Sequence, residues 1–285
     1  MTNPFSSLEL EPVENKNIKV VTVGFIDESG RYRIGPPTRP NIKHDNGHLD
    51  LYKPRDPTAS DKIQLAKWTA MLEGSEALCN AQTGKWVPGC TDDLTDANAA
   101  YRHFLFGDGK DRQINYERFL QNDSSGKVLI ENLMDDFQHR ASIIGKDRKR
   151  FSVTSSAFTV GAGGIAPYPA TANWQKALGA HFLWVSADVS VSATKTDIIY
   201  NADVTIHVED RYNFNPGSND VATGIPDEAN GRFEITGLAK QYTNYATVHR
   251  TTRWIAGSTV GSTTGHGPEG RQRMPSNNRR IRNRI

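Results

Sequence analysis

Residues 182–193 read Phe-Leu-Trp-Val-Ser-Ala-Asp-Val-Ser-Val-Ser-Ala, which puts Val185, Ala187, Val189 and Val191 on one face and Ser186, Asp188, Ser190 and Ser192 on the other. A period of two with one polar face marks a half-buried β-strand. After a turn at Thr194-Lys195 the alternation resumes, with Ala202, Val204, Ile206 and Val208 set against Asp203, Thr205, His207 and Glu209. Two such strands in succession predict a mostly antiparallel sheet over residues 150–215. The stretch 161–169, Gly-Ala-Gly-Gly-Ile-Ala-Pro-Tyr-Pro, reads as a loop between earlier strands and lacks the Gly-Lys-Ser ending of a phosphate loop.

Before Phe151 the period is helical. Leu65, Trp68, Leu72, Ser75 and Cys79 step by three and four from a start near Ser60-Asp61. A second helix starts at a Thr95-Asp96 cap, runs through Ala99, Ala100, His103 and Phe104, and stops at Gly107-Asp108-Gly109. A third, over residues 127–144, keeps Leu129, Leu133, Phe137, Ala141 and Ile144 in register. The fold class that follows is α+β, a helical N-terminal and central region packed on the sheet. The expected organisation is an extended segment over 1–60 with one strand at 18–26, a helical region over 61–145, a sheet domain over 146–256, and a disordered basic tail over 257–285.

The chain has 285 residues, 36% of them hydrophobic and 23% charged, enough to bury a core. No run of eighteen apolar residues marks a membrane span. The start shows no basic region followed by an apolar one, so export is expected by a route without a cleaved leader. The net charge of +2 hides an asymmetry: the tail carries six arginines against Glu269, leaving residues 1–256 with 28 basic and 31 acidic groups. Such a tail can hold phosphates, but a nuclease groove needs basic charge within the fold, so nucleic acid is not the expected partner. Cys79 and Cys90 enclose a turn-rich loop of ten residues. A disulfide there points to an oxidising compartment, and two separate buried thiols are the alternative. His44, Asp45, His48 and Asp50 cluster around an Asn46-Gly47 turn, which is not expected to bind a metal.

The second strand runs into Glu209-Asp210-Arg211-Tyr212-Asn213-Phe214-Asn215. Asp210, Tyr212 and Phe214 continue the buried parity of Val204, Ile206 and Val208. A carboxylate there must be paired, hydrogen-bonded or functional. A short helix near Pro226-Asp227 is expected to pack Phe233 and Leu238 inward. His181 and His207 read as structural.

Asp210-Arg211-Tyr212-Asn213-Phe214-Asn215 resembles the Asp-Lys-Tyr-Asp-Phe-Asn motif of the colicin M family of lipid II-degrading bacteriocins. Upstream, His103-Phe104-Leu105-Phe106-Gly107-Asp108-Gly109, followed by Arg112 and Ile114-Asn115, resembles the same family's aromatic-Leu-aromatic-Gly-Asn-Gly element. The order and gap agree, and the resemblance spans about residues 95–250. It implies an antibacterial toxin acting in the target periplasm, where it cleaves lipid II between undecaprenyl and pyrophosphate with Mg2+. Asp210 and Tyr212 match the essential Asp and Tyr, and Asp210 is the implied metal ligand. The family's second essential aspartate is Asn213 here, and its His-Arg pair is replaced near Asn219-Asp220. His249-Arg250 lies some thirty residues too late to take that place.

Cleaving a phosphodiester or pyrophosphate needs a carboxylate to orient water or a metal and cations to offset charge on the phosphate. The candidate catalytic set is Asp210, Tyr212, Asn213, Asp220 and Arg232, with Arg211 and Arg250 as further cations. Expected partners are lipid II or a related polyprenyl phosphate, a cognate immunity protein and a secretion-apparatus protein. The alternative is a non-enzymatic membrane-acting or binding module that kept the fold and lost the centre.

Overall fold

The computed structural model describes residues 24–26, 32–35, 39–80, 85–86, 93–161, 166–221, 223–257, 262–266 and 271–272. In chain order the elements are β1 (Gly24–Ile26), β2 (Tyr32–Ile34), α1 (His48–Leu51), α2 (Ala59–Leu78), β3 (Cys79–Asn80), β4 (Lys85–Trp86), α3 (Thr95–Phe106), β5 (Arg112–Gln113) and α4 (Tyr116–Asn122). There follow α5 (Ser124–Ile144), β6 (Arg150–Thr154), β7 (Phe158–Val160), α6 (Ala172–Ala177), β8 (His181–Ala193), β9 (Ile198–Tyr212), α7 (Glu228–Ile235), β10 (Tyr242–Ile255), β11 (Ser262–His266) and β12 (Arg271–Gln272).

The class is α+β. Among the described residues ten strands form one mixed sheet, ordered β1-β2-β6-β8-β9-β10-β11-β12, with β7 beside β8 and β5 beside β10. Every pairing in it is antiparallel except β2 with β6 and β5 with β10. The alternating stretches form the central hairpin, with Phe182 opposite Glu209 and Ala193 opposite Ile198. Val185, Ala187, Val189, Ala202, Val204, Ile206 and Val208 are buried as the alternation requires. They share one core with Leu129, Leu133, Phe137, Ala141 and Ile144 of α5. Each Val, Leu, Ile or Phe among them contributes about 1.5–3 kcal/mol of burial.

A second, smaller core holds Leu72, Phe104, Leu105, Phe233, Ala239 and Tyr242, with Leu65, Trp68, Tyr212, Phe214 and Leu238 packed on it. It draws α2, α3, α7 and the ends of β9 and β10 together, and so sets the geometry of the candidate site.

Four expectations need correction. The sheet does not end near 215, because β10 runs the full length of β9. Its inward face mixes Ala246 and Val248 with Asn244, Arg250 and Thr252, which hides the alternation. Those polar groups are satisfied inside: Arg250 pairs with Glu117 at 2.9 Å, and Gln138 donates to Thr252 at 2.8 Å. The tail beyond 257 is not wholly without structure, since β11 pairs with residues 249–253 through backbone bonds that need no apolar pattern. The segment before residue 60 contributes β1 and β2 to the sheet and carries α1. The third helix starts at Ser124 rather than 127, because Asp123 accepts from the Ser125 N–H at 2.9 Å and caps it there. Of the strand expected over 18–26, only β1 falls among the described residues. The Cys79–Cys90 pairing lies outside them.

Candidate functional site

β9 enters the second core with its last residues, and the strand pleat decides what each can reach. Asp210 points inward and is only 5% exposed. Among the described residues one hydrogen bond reaches its carboxylate, from Asn244 Nδ2 at 3.1 Å on β10. Arg112 of β5 in turn donates to Asn244 Oδ1 at 3.4 Å. Burial pushes the Asp210 carboxyl up to about 8, against the Asn244 bond and with help from the nearby Asp45 charge.

Tyr212 stacks on Tyr242 with ring centroids 5.1 Å apart. Phe104 of α3 lies against both Tyr212 at 5.9 Å and Phe214 at 5.0 Å. His103 meets Tyr242 edge-on at 4.4 Å and donates through Nε2 to the Lys110 carbonyl at 2.8 Å. Burial raises the Tyr212 hydroxyl well above its ordinary range, so it stays protonated. The two sequence elements that carry the resemblance, a hundred residues apart, therefore meet at one strand end.

The remaining candidates do not converge there. Asn213 spends its amide on the Asp45 carboxylate at 2.7 Å. Asp220 accepts from Lys176 of α6 and from the Thr223 backbone, and these bonds outweigh burial to hold its carboxyl below the usual range. Arg232 sits on α7 with Nε 3.8 Å from Asp61 on α2. Arg250 is held by Glu117. Arg211, one residue from Asp210, faces the opposite way and bonds Thr243 and Gln241.

Other residues at this end escape a reading by motif. Glu234 on α7 is buried, accepts from the Phe214 N–H at 3.0 Å and from Gln241 at 3.0 Å, and is pushed by burial to about 7. Residues 39–50 cross the strand end. Arg39 grips both oxygens of buried Glu209, and His44 Nε2 donates to it at 2.6 Å. The His48 N–H reaches the Phe214 carbonyl at 3.2 Å. Gly47 permits this approach, with φ at +53° and room for no side chain: a Cβ would stand 2.2 Å from that carbonyl oxygen. Glu209 gave no signal in the sequence, because its parity matches the polar face of the strand and its burial arises only where Arg39 and His44 cover it. The strand histidines are occupied. His181 accepts from the Tyr116 hydroxyl at 2.7 Å and is lowered by burial to about 4, and His207 stacks on Trp184 at 4.9 Å.

These residues do not fit the Mg2+ that the resemblance implies. Mg2+ takes a near-octahedral shell of hard oxygen ligands, usually anchored by ionised carboxylates. Asp210 lies in the core with an amide donor beside it, while Asp220 and Glu234 are committed to their own donors. Among the described residues no three His, Cys, Asp or Glu side chains are grouped to hold a metal. No protein-family model matches the chain, and no curated protein matches it.

Proposed function

We propose that the chain is an antibacterial toxin acting in the periplasm of target bacteria, where it hydrolyses lipid II or a related polyprenyl phosphate between the lipid and the pyrophosphate. The observation that carries this reading is the meeting of the two motif elements around Asp210: Phe104 against Tyr212, and Arg112 linked through Asn244 to the carboxyl. Carboxyls strongly perturbed by burial and a neighbouring charge are characteristic of catalytic sites.

The chemistry asks for such a group. When water attacks the phosphorus next to the lipid, the bond to the prenyl oxygen breaks and that oxygen leaves as a strongly basic alkoxide. It needs a proton as it departs. A carboxyl whose pKa is about 8 still holds its proton at neutral pH and can deliver it. Arg112 offsets charge on the phosphate, and the protonated Tyr212 hydroxyl can donate to a phosphoryl oxygen. The reading carries with it a cognate immunity protein and a secretion-apparatus partner. No described helix is long and apolar enough to cross a membrane.

One observation favours the second reading, a binding module without catalysis: the position of the family's second aspartate is Asn213, tied to Asp45. Purified lipid II separates the two. Asp210→Ala and Tyr212→Phe should each lower cleavage by roughly 10²–10⁴-fold with the fold intact. In cells, arrest should appear when the chain is directed to the periplasm and vanish with Asp210→Ala. If both the natural chain and Asn213→Asp leave lipid II intact in the presence of magnesium, the hydrolase reading falls.

A further inference from the structure

A cleft of about 660 Å³ opens on the other side of the same strand end, walled by Leu49, Ile235 and Ala239 and floored by Arg211, Gln241 and Lys240. Its size lies within the range of sites for small organic ligands. Neighbouring strand residues point to opposite faces, so Arg211 looks into this cleft while Asp210 and Tyr212 look into the core. Both motif elements reach it, Arg211 from one and Gly109 from the other.

The charges in the cleft are unbalanced. Among the described residues Arg211 bonds only neutral oxygens, Thr243 Oγ1 at 3.4 Å and Gln241 Oε1 at 3.2 Å. Its Nε is buried and meets no hydrogen-bond partner among them. Among the described residues no carboxylate lies within ion-pair distance of Arg211 or Lys240. Glu234 also lines the cleft and feels the Arg211 charge, but its oxygens are taken by the Phe214 N–H and Gln241. Arg55, also in the wall, is neutralised by Asp61 at 2.7 Å, and Asp56 is exposed. A partly buried guanidinium with no acid within ion-pair distance is costly, and a forked donor lining an open space matches a tetrahedral oxyanion.

We propose that this cleft binds a phosphorylated organic ligand, its phosphate on Arg211 and Lys240 and its organic part against Leu49 and Ile235. Two unpaired cations suit the double negative charge of a phosphate better than the single charge of a carboxylate. The apolar wall distinguishes the site from one for a bare ion. This assignment stands apart from the reaction assigned to Asp210, since the two sites lie on opposite faces of β9.

Titration calorimetry of the full chain with pyrophosphate and with glutarate tests it. Pyrophosphate should bind, and Arg211→Gln should weaken binding by about 10-fold or more, the effect of removing a charged hydrogen-bond donor. Lys240→Gln should weaken it in the same direction. That lysine is exposed, and its backbone rather than its side chain ties the loop to Phe104 at 3.1 Å, so this variant keeps the test valid if Arg211→Gln fails to fold. Asp210→Asn should bind as the natural chain does. No binding, equal binding by Lys240→Gln, equal affinity for glutarate, or loss of binding in Asp210→Asn would each overturn the proposal.

Discussion

Asn244 and Asp210 stand directly opposite each other on adjacent antiparallel strands, and among the described residues the amide of one is the sole hydrogen-bond donor to the carboxyl of the other, at 3.1 Å. One neutral donor cannot replace the water that an ionised carboxylate loses on burial, so the proton stays on.

The first prediction concerns stability against pH. The folded pKa of Asp210 is raised from 3.8 to about 8. Its contribution is therefore complete below the unfolded value and is lost as pH rises through the folded one. Asp210→Asn removes this loss. The variant should match the natural chain near pH 4 and exceed it above pH 8, by an amount on the order of several kcal/mol. Urea unfolding across that range checks it. Glu234, raised to about 7, should leave a smaller slope of the same sign.

The second tests the clamp on Glu209. Arg39→Ala leaves a carboxylate of 2% side-chain exposure with His44 as its remaining partner. Because Arg39 is itself 43% exposed, solvent screens part of the loss, and the expected cost is about 1–3 kcal/mol at neutral pH. Arg39 and His44 outweigh burial and hold the folded pKa of Glu209 below 4.5. The pair therefore stabilises above the unfolded pKa and ceases to do so as pH falls through the folded one. Thermal melts of variant and natural chain should converge in acid.

The third is steric. A Cβ at Gly231 would stand 2.0 Å from the His48 ring. Gly231→Ala should destabilise by about 2–3 kcal/mol, although alanine is the better helix former in α7. Adding His48→Ala should recover part of that loss, and chemical denaturation of the two variants measures the coupling. A double variant no more stable than Gly231→Ala would remove the clash as the cause.

The fourth concerns the sheet margin. β5 and β11 cover the same edge of β10, at residues 244–245 and 249–253. Ending the chain at Gly257 should lower the melting temperature by a few degrees and promote aggregation through the uncovered stretch of β10. An unchanged melting curve would show that β11 adds nothing.

The hairpin and α5 were legible because their burial is apolar and periodic: Val204, Ile206 and Val208 against Leu133 and Phe137. β10 was not, because Asn244, Arg250 and Thr252 occupy inward positions that only their partners on other elements make tolerable. At the candidate site, parity and motif correctly placed Asp210 inward and Tyr212 beside it. Asp220 and Arg232 were grouped with them by closeness in sequence, yet each is fixed by an ion pair to a different helix, Lys176 on α6 and Asp61 on α2. Asn244, Glu234 and Arg39 carry no local signal, since their roles exist only once distant segments touch.

The Arg39–Glu209 contact joins residues 170 positions apart. During synthesis the arginine leaves the ribosome long before its acid exists, and it must wait for β9 to be made. The strand end holding Asp210 thus gains its covering segment through a late long-range closure, and contacts of such separation slow folding. A chain halted before β9 is complete has no Glu209 for Arg39 to grip. Assembly of this end thereby waits on synthesis through β9, and shorter nascent fragments are left without the finished centre.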